Sequence, residues 1–258
     1  METFVEFVEK PKKLKKPILI EGLPGIGNVG RVAAGYMVSE LKMKKLADIY
    51  SQHFLPLVLL HDDAVAHMLK NELYVYYGKK KDILVLTGDT QSMTPEGHYH
   101  VCEAIINVAE KLGVKDIITL GGFTNGEEVA NPRVIGAVSE KELVKTYNKY
   151  GIMFGKDHQI GTIVGASGLL IGFAKLRKMH GLCLMGETAG VPFMTDPRAA
   201  DRVLSVLRDI LGIKLDLTKL EKTIKQMEVQ IKKTDKIHQS MLQELSKTGK
   251  DESIRYIG

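Results

Sequence analysis

Gly25-Ile26-Gly27-Asn28-Val29-Gly30 places three glycines at the spacing G-x-G-x-x-G. Between a strand and a helix, that spacing lets backbone approach a pyrophosphate and seat it on a helix N-terminus. A nucleotide- or nucleoside-binding enzyme using loop 22–30 is therefore one reading of the chain. Such a site needs an acid closing the next strand, about 20 residues on. Asp48 falls ahead of that strand, Gln52 is not acidic, and Pro24 makes the turn atypical. A glycine-rich crossover that serves packing is the competing reading.

Other reactive side chains do not converge. The chain has no G-x-x-x-x-G-K-[ST] and no G-x-S-x-G. Ser167, in Gly165-Ala166-Ser167-Gly168, lacks the nucleophile-elbow spacing and is expected to cap a helix. His98, His100 and Cys102 are zinc-type ligands, but on a helix His98 and Cys102 share a face that His100 leaves. Glu187 closes the last strand with no acid/base partner and no phosphate-binding basic loop in sight. No catalytic residue, cofactor or metal is expected.

These loops need strands before them. Pro17–Glu21, a segment 47–60 broken at Pro56, Glu72–Tyr77, Asp82–Thr87, Asp116–Leu120, Arg133–Val138, Gln159–Val164 and Gly181–Met185 read as strands. Helices are predicted from Gly30 to about Leu41, from Thr94-Pro95 to Leu112, over Ser139–Tyr150 and Leu169–Met179, and from Asp196-Pro197 to Leu211. Thr94 and Asp196 are capping residues with proline at the first helical position, and Gly113 and Gly212 are stops. Strands alternating with helices predict an α/β fold, a three-layer α/β/α core on a mainly parallel sheet, spanning residues 1–213.

The chain has 258 residues and a net charge of +5 from 36 basic and 31 acidic side chains. That small excess lacks interleaved aromatics, so no nucleic-acid partner is expected. Two distant cysteines, Cys102 and Cys183, predict buried thiols in a reducing cytosol. Residues 1–16 have no signal-peptide core, and no apolar run approaches the roughly 18 residues of a membrane span.

Residues 214–258 have a different character. Leu217, Leu220, Ile224, Met227, Ile231, Thr234, His238, Met241 and Leu245 recur at alternating spacings of 3 and 4. So narrow a stripe predicts a long helical arm with a seam for another helix. Nine lysines against five acids between 214 and 250 keep its other faces solvated. A polar break at 246–251 precedes the apolar end Ile254-Arg255-Tyr256-Ile257-Gly258.

Five motifs taken in order carry a resemblance. They are Gly22-Leu23-Pro24-Gly25-Ile26-Gly27-Asn28-Val29-Gly30, Thr87-Gly88-Asp89-Thr90-Gln91-Ser92, Gly121-Gly122-Phe123-Thr124, the run 165–172, and Gly186-Glu187-Thr188-Ala189-Gly190. Over residues 17 to about 212 the chain resembles the archaeal members of the proteasome assembly chaperone family. The basic arm places it nearest the homologue B branch. The resemblance implies a phosphorylase-like core, a cytoplasmic homo-oligomer with a tetramer favoured, and no catalysis. It implies proteasome α-subunits or assembly intermediates as partners, and neither nucleic acid nor membrane. The partner-binding residues expected are Leu220, Ile224, Met227, Ile231, Met241 and Leu245 on the seam, with Ile254, Tyr256, Ile257 and Gly258 at the end. Family tails close on hydrophobic–Tyr–any residue, whereas Tyr256 here stands one place early.

Overall fold

The structure is a computed structural model, and it describes residues 3–60, 64–124, 130–155, 160–190 and 195–227. In chain order its strands are β1 (Phe4–Phe7), β2 (Ile18–Glu21), β3 (Lys44–Tyr50), β4 (Val58–Leu60), β5 (Ala66–Met68), β6 (Asn71–Tyr76), β7 (Ile83–Gly88), β8 (Asp116–Phe123), β9 (Val134–Val138), β10 (Met153–Phe154) and β11 (His180–Glu187). Its helices are α1 (Val29–Glu40), α2 (Pro95–Lys111), α3 (Leu143–Tyr147), α4 (Ala166–Leu176) and α5 (Pro197–Leu211). Residues 220–227 are also helical.

The large sheet runs β1-β3-β6-β7-β2-β8-β11-β9-β10, and β4-β5 form a separate hairpin. Among the described strands, β7-β2-β8-β11 form a continuous parallel block, and β10 is parallel to β9. The flank β1-β3-β6-β7 is antiparallel throughout, and β9 is antiparallel to β11. The sheet is thus mixed rather than mainly parallel. The central strands read as largely apolar runs because helices cover both their faces. Ile18, Ile20, Ile83 and Val85 alternate onto the α1–α5 side, while Leu19, Leu84 and Leu86 alternate onto the α2–α4 side.

Helix ends follow the local signals. The Thr94 hydroxyl accepts from Gly97 N at 3.1 Å, and Asp196 accepts from Arg198 N and Ala199 N at 3.0 Å. Gly113 and Gly212 adopt left-handed φ values of +82° and +62°. Two expected elements differ. Residues 160–164 form no strand, and the expected helix over Ser139–Tyr150 is only α3 followed by a 3-10 turn.

The core continues past residue 213. Leu215, Leu220 and Ile224 join the cluster built on α1 and α5, and Leu220 and Ile224 are 2% and 1% exposed. Their 3–4 spacing puts them on one helical face with Met227, whose methyl group occupies the space a Cβ on Gly35 would take. The Tyr36 hydroxyl donates to the Asp216 carbonyl. As far as residue 227, the narrow seam therefore packs on its own subunit. The physical reason is that α1 offers it Gly35, small enough for Met227 to approach closely. Ile224→Val should accordingly cost about 1 kcal/mol in urea unfolding, whereas a solvated arm would register no change. Ile231, Met241, Leu245, Ile254, Tyr256, Ile257 and Gly258 lie outside the described residues. Among those described, no helix is long and apolar enough to cross a membrane.

Candidate functional site at the carboxyl edge of the parallel strands

The loops leaving β2, β7, β8 and β11 all emerge at one edge of the sheet. Ligands of open α/β folds bind at that edge, so it is where chemistry would sit. One amide ties three of its loops. Gln91 Nε2 donates to the Pro24 carbonyl at 2.6 Å, and its Oε1 accepts from Ala166 N at 2.9 Å. Further out, Asp196 N donates to the Gly27 carbonyl at 2.9 Å.

The glycines serve this packing. A Cβ on Gly22 would strike the Gly30 carbonyl, and one on Gly30 would strike the Leu120 carbonyl. Gly27 has φ +61°, and Thr188 Oγ1 lies 2.9 Å from where its Cβ would be. The close backbone approach is thus to the chain itself, as a packing crossover requires. Asp48 lies inside β3, in ion pairs with Lys45 at 2.7 Å and Lys70 at 3.2 Å. Since β6 and β7 separate β3 from β2, these elements are not the β-α-β unit that a dinucleotide fingerprint needs.

Two acids close central strands. Glu187, buried at the end of β11, accepts from Arg133 Nε at 2.7 Å and from Arg133 Nη2. This bidentate pairing with the guanidinium holds its carboxyl below the usual range. A carboxylate so clamped is poorly placed to exchange protons.

Glu21, at the end of β2, is fully buried. Its Oε1 accepts from Leu23 N at 3.0 Å, and its Oε2 lies 3.1 Å from Ser167 Oγ. Burial raises its pKa to about 7, with the bonds from Leu23 and Ser167 opposing. Ser167 Oγ also lies 3.3 Å from the Leu120 carbonyl. One hydroxyl proton cannot serve both acceptors. A protonated Glu21 resolves this: it donates to Ser167, and Ser167 donates to Leu120. Ser167 is therefore not a helix cap. Gly165 stands at the N-cap of α4, and Ser167 turns inward to the strand end.

The thiols are buried and free, and burial pushes Cys183 up to about 12. His100 stacks on His53 with ring centroids 5.2 Å apart. Burial lowers His98 from its usual value. Among the described residues, no group of three metal-ligating side chains forms. Of the partner residues expected, Leu220, Ile224 and Met227 come together, on α1 of their own chain. Glu21, Gln91 and Arg133 were missed as members of the edge. Glu21 left a trace as an acid ending an apolar strand, and Gln91 as a member of the motif Thr87–Ser92.

The edge is a set of interlocked loops on an α/β/α sandwich, without a convergent acid/base pair among the described residues. The PAC2 family matches residues 19–235, and the chain belongs to that family. It is 40% identical to the uncharacterized protein MJ1210 of Methanocaldococcus jannaschii over 252 residues, 97% of this chain and 96% of that one. Its structure is similar to that of Pyrococcus furiosus PbaB, an archaeal proteasome activator, with a TM-score of 0.80 and 38% identity over 91% of this chain and 99% of that one. It is also similar to Pyrococcus furiosus PbaA, an archaeal homolog of proteasome-assembly chaperone, with a TM-score of 0.73 and 26% identity over 91% and 96% of the two chains.

Proposed function

We propose that this protein is a non-enzymatic chaperone of proteasome assembly. It works in the cytoplasm as a homo-oligomer, and it binds proteasome α-subunits or assembly intermediates. The observation that carries this reading is the near full-length likeness to PbaB. The carboxyl edge agrees with it, since Glu187 is clamped and the glycine loops are filled by the chain itself.

The contact is assigned to the carboxyl-terminal segment, with Ile231, Met241 and Leu245 on its apolar stripe and Ile254, Tyr256, Ile257 and Gly258 at its end. Leu220 and Ile224, buried in their own chain, supply its anchorage, with Met227 packed beside them. A single tail contact holds weakly, and several on one oligomer multiply the affinity.

The test compares the full chain with one ending at Met227, which keeps the anchoring residues. Against purified α-subunits of the source organism, the shortened chain should bind at least about tenfold more weakly. Equal binding would remove the tail from the mechanism. A full chain that ignores α-subunits would end the proteasome reading.

A further inference from the structure

The opposite, amino edge of the parallel block is a meeting of two lysine runs. Lys12, Lys13, Lys15 and Lys16 lead into β2, and Lys79, Lys80 and Lys81 form the turn before β7. Buried Asp82 binds the two runs together. Its Oδ2 accepts from Lys15 N at 2.7 Å and its Oδ1 from Gly78 N at 3.0 Å, while Asp82 N donates to the Lys15 carbonyl at 2.9 Å. Lys15 Nζ adds a bond of 2.9 Å to the Gly78 carbonyl. Asp82, the acid between the two runs, is thus turned inward onto backbone amides.

All of these lysines except the half-buried Lys81 are exposed, and exposed Lys44 and Lys115 flank them at the starts of β3 and β8. Among the described residues, no member of either run joins an ion pair. Lys45 and Lys70, by contrast, interlock with Asp48 and Glu72 on the sheet flank. Acids near the runs are few. Glu9 precedes the first run, and Asp116 faces His180 at 3.0 Å.

Apolar side chains stand beside the lysines. Phe7, Val8 and Tyr77 are 39%, 61% and 39% exposed. Val8 N donates to the Leu46 carbonyl, and Tyr77 follows β6, which places them at this same edge. Gathering like charges opposes folding, so stability does not explain the clustering of the exposed lysine charges. Exposed apolar side chains next to a charged stretch are the composition of a protein-binding surface. Neither run contains arginine, the fork-shaped donor that phosphate recognition favours.

We propose that this lysine-rich edge is an electrostatic docking face for an acidic protein surface, with runs 12–16 and 79–81 steering the encounter and Phe7, Val8 and Tyr77 making its apolar contact. In taking the proteasome α-subunit as probe, the test rests on the function proposed above. The two ideas act on different rate constants. Steering raises association, whereas a tail that clasps its partner slows dissociation.

The full chain is compared with its Lys79→Glu/Lys80→Glu/Lys81→Glu variant and the corresponding Gln variant, after matching their melting temperatures. Charge reversal should slow association with α-subunits at least about tenfold and flatten its salt dependence, and neutralisation should do less. The chain ending at Met227 should keep its association rate and dissociate faster. A reversed variant with the wild-type rate and salt dependence overturns the docking face. If the wild type ignores α-subunits, poly-L-glutamate becomes the probe. Retention of the wild type but not of the reversed variant supports the face. Equal retention overturns it, as does a loss confined to poly(U) RNA or phosphatidylserine vesicles.

Discussion

Glutamine in place of Glu21 should make the protein more stable at pH 8 by about 3 kcal/mol, with little change at pH 4. The buried carboxyl keeps its proton to about pH 7, against an ordinary value of 4.5. Below 4.5 the folded and unfolded chains both hold the proton, and the group is no burden. As pH rises from 4.5 to 7 the unfolded chain ionises first, so stability falls. Above 7 the full penalty remains. Glutamine has nearly the same shape. It can accept from Leu23 N and donate to Ser167 Oγ, the two contacts Glu21 makes. Urea unfolding of both proteins between pH 4 and 8 reads the difference, in which carboxylates common to the two cancel. A gap that stays flat across that interval would show that Glu21 does not carry the titration.

Gly30→Ala should lower stability by at least about 3 kcal/mol, the reverse of what helix propensity predicts. Gly30 is the second residue of α1, where alanine is ordinarily preferred by about 1 kcal/mol. Its missing side chain is where α1 crosses the Leu120 carbonyl. Rigid backbone on both sides leaves nothing to give way. Gly25→Ala is the control. Its φ of −173° suits any residue, and the nearest atom to a new Cβ is Gln91 Nε2 at 3.9 Å. That exchange should stay within about 0.5 kcal/mol. Melting temperatures of the two variants decide the matter. A side chain at Gly27, by contrast, would strain the fold by itself, at φ +61° and against Thr188.

What could be read from the residues alone follows interaction range. Thr94, Asp196, Gly113 and Gly212 marked helix ends because caps and stops depend on neighbours within a turn. The four central strands were visible because double burial leaves them almost wholly apolar, with Thr119 the buried exception in the middle of β8. Strand pairing was not visible. Nothing local to Lys44–Tyr50 says that its partners are β1 and β6 rather than β2. The stripe from Leu217 onward had the period of an interhelical seam, and only its packing against Gly35 of α1 shows that its first two turns close on their own subunit. Ser167 looked like a cap because capping is the short-range use of serine. Its actual partner, Glu21, is 146 residues away. The α/β/α layering was thus legible from pattern, and the carboxyl edge was not, since it is assembled from loops that meet only after folding.

Gln91 gives the carboxyl edge a chemical lifetime. Its side chain needs one donor and one acceptor, facing the Pro24 carbonyl and Ala166 N respectively. Slow hydrolysis of that amide, the deamidation that ages long-lived proteins, would set a carboxylate oxygen against a carbonyl oxygen. Three loops held by one clip would then loosen together, at a position no sequence change had marked.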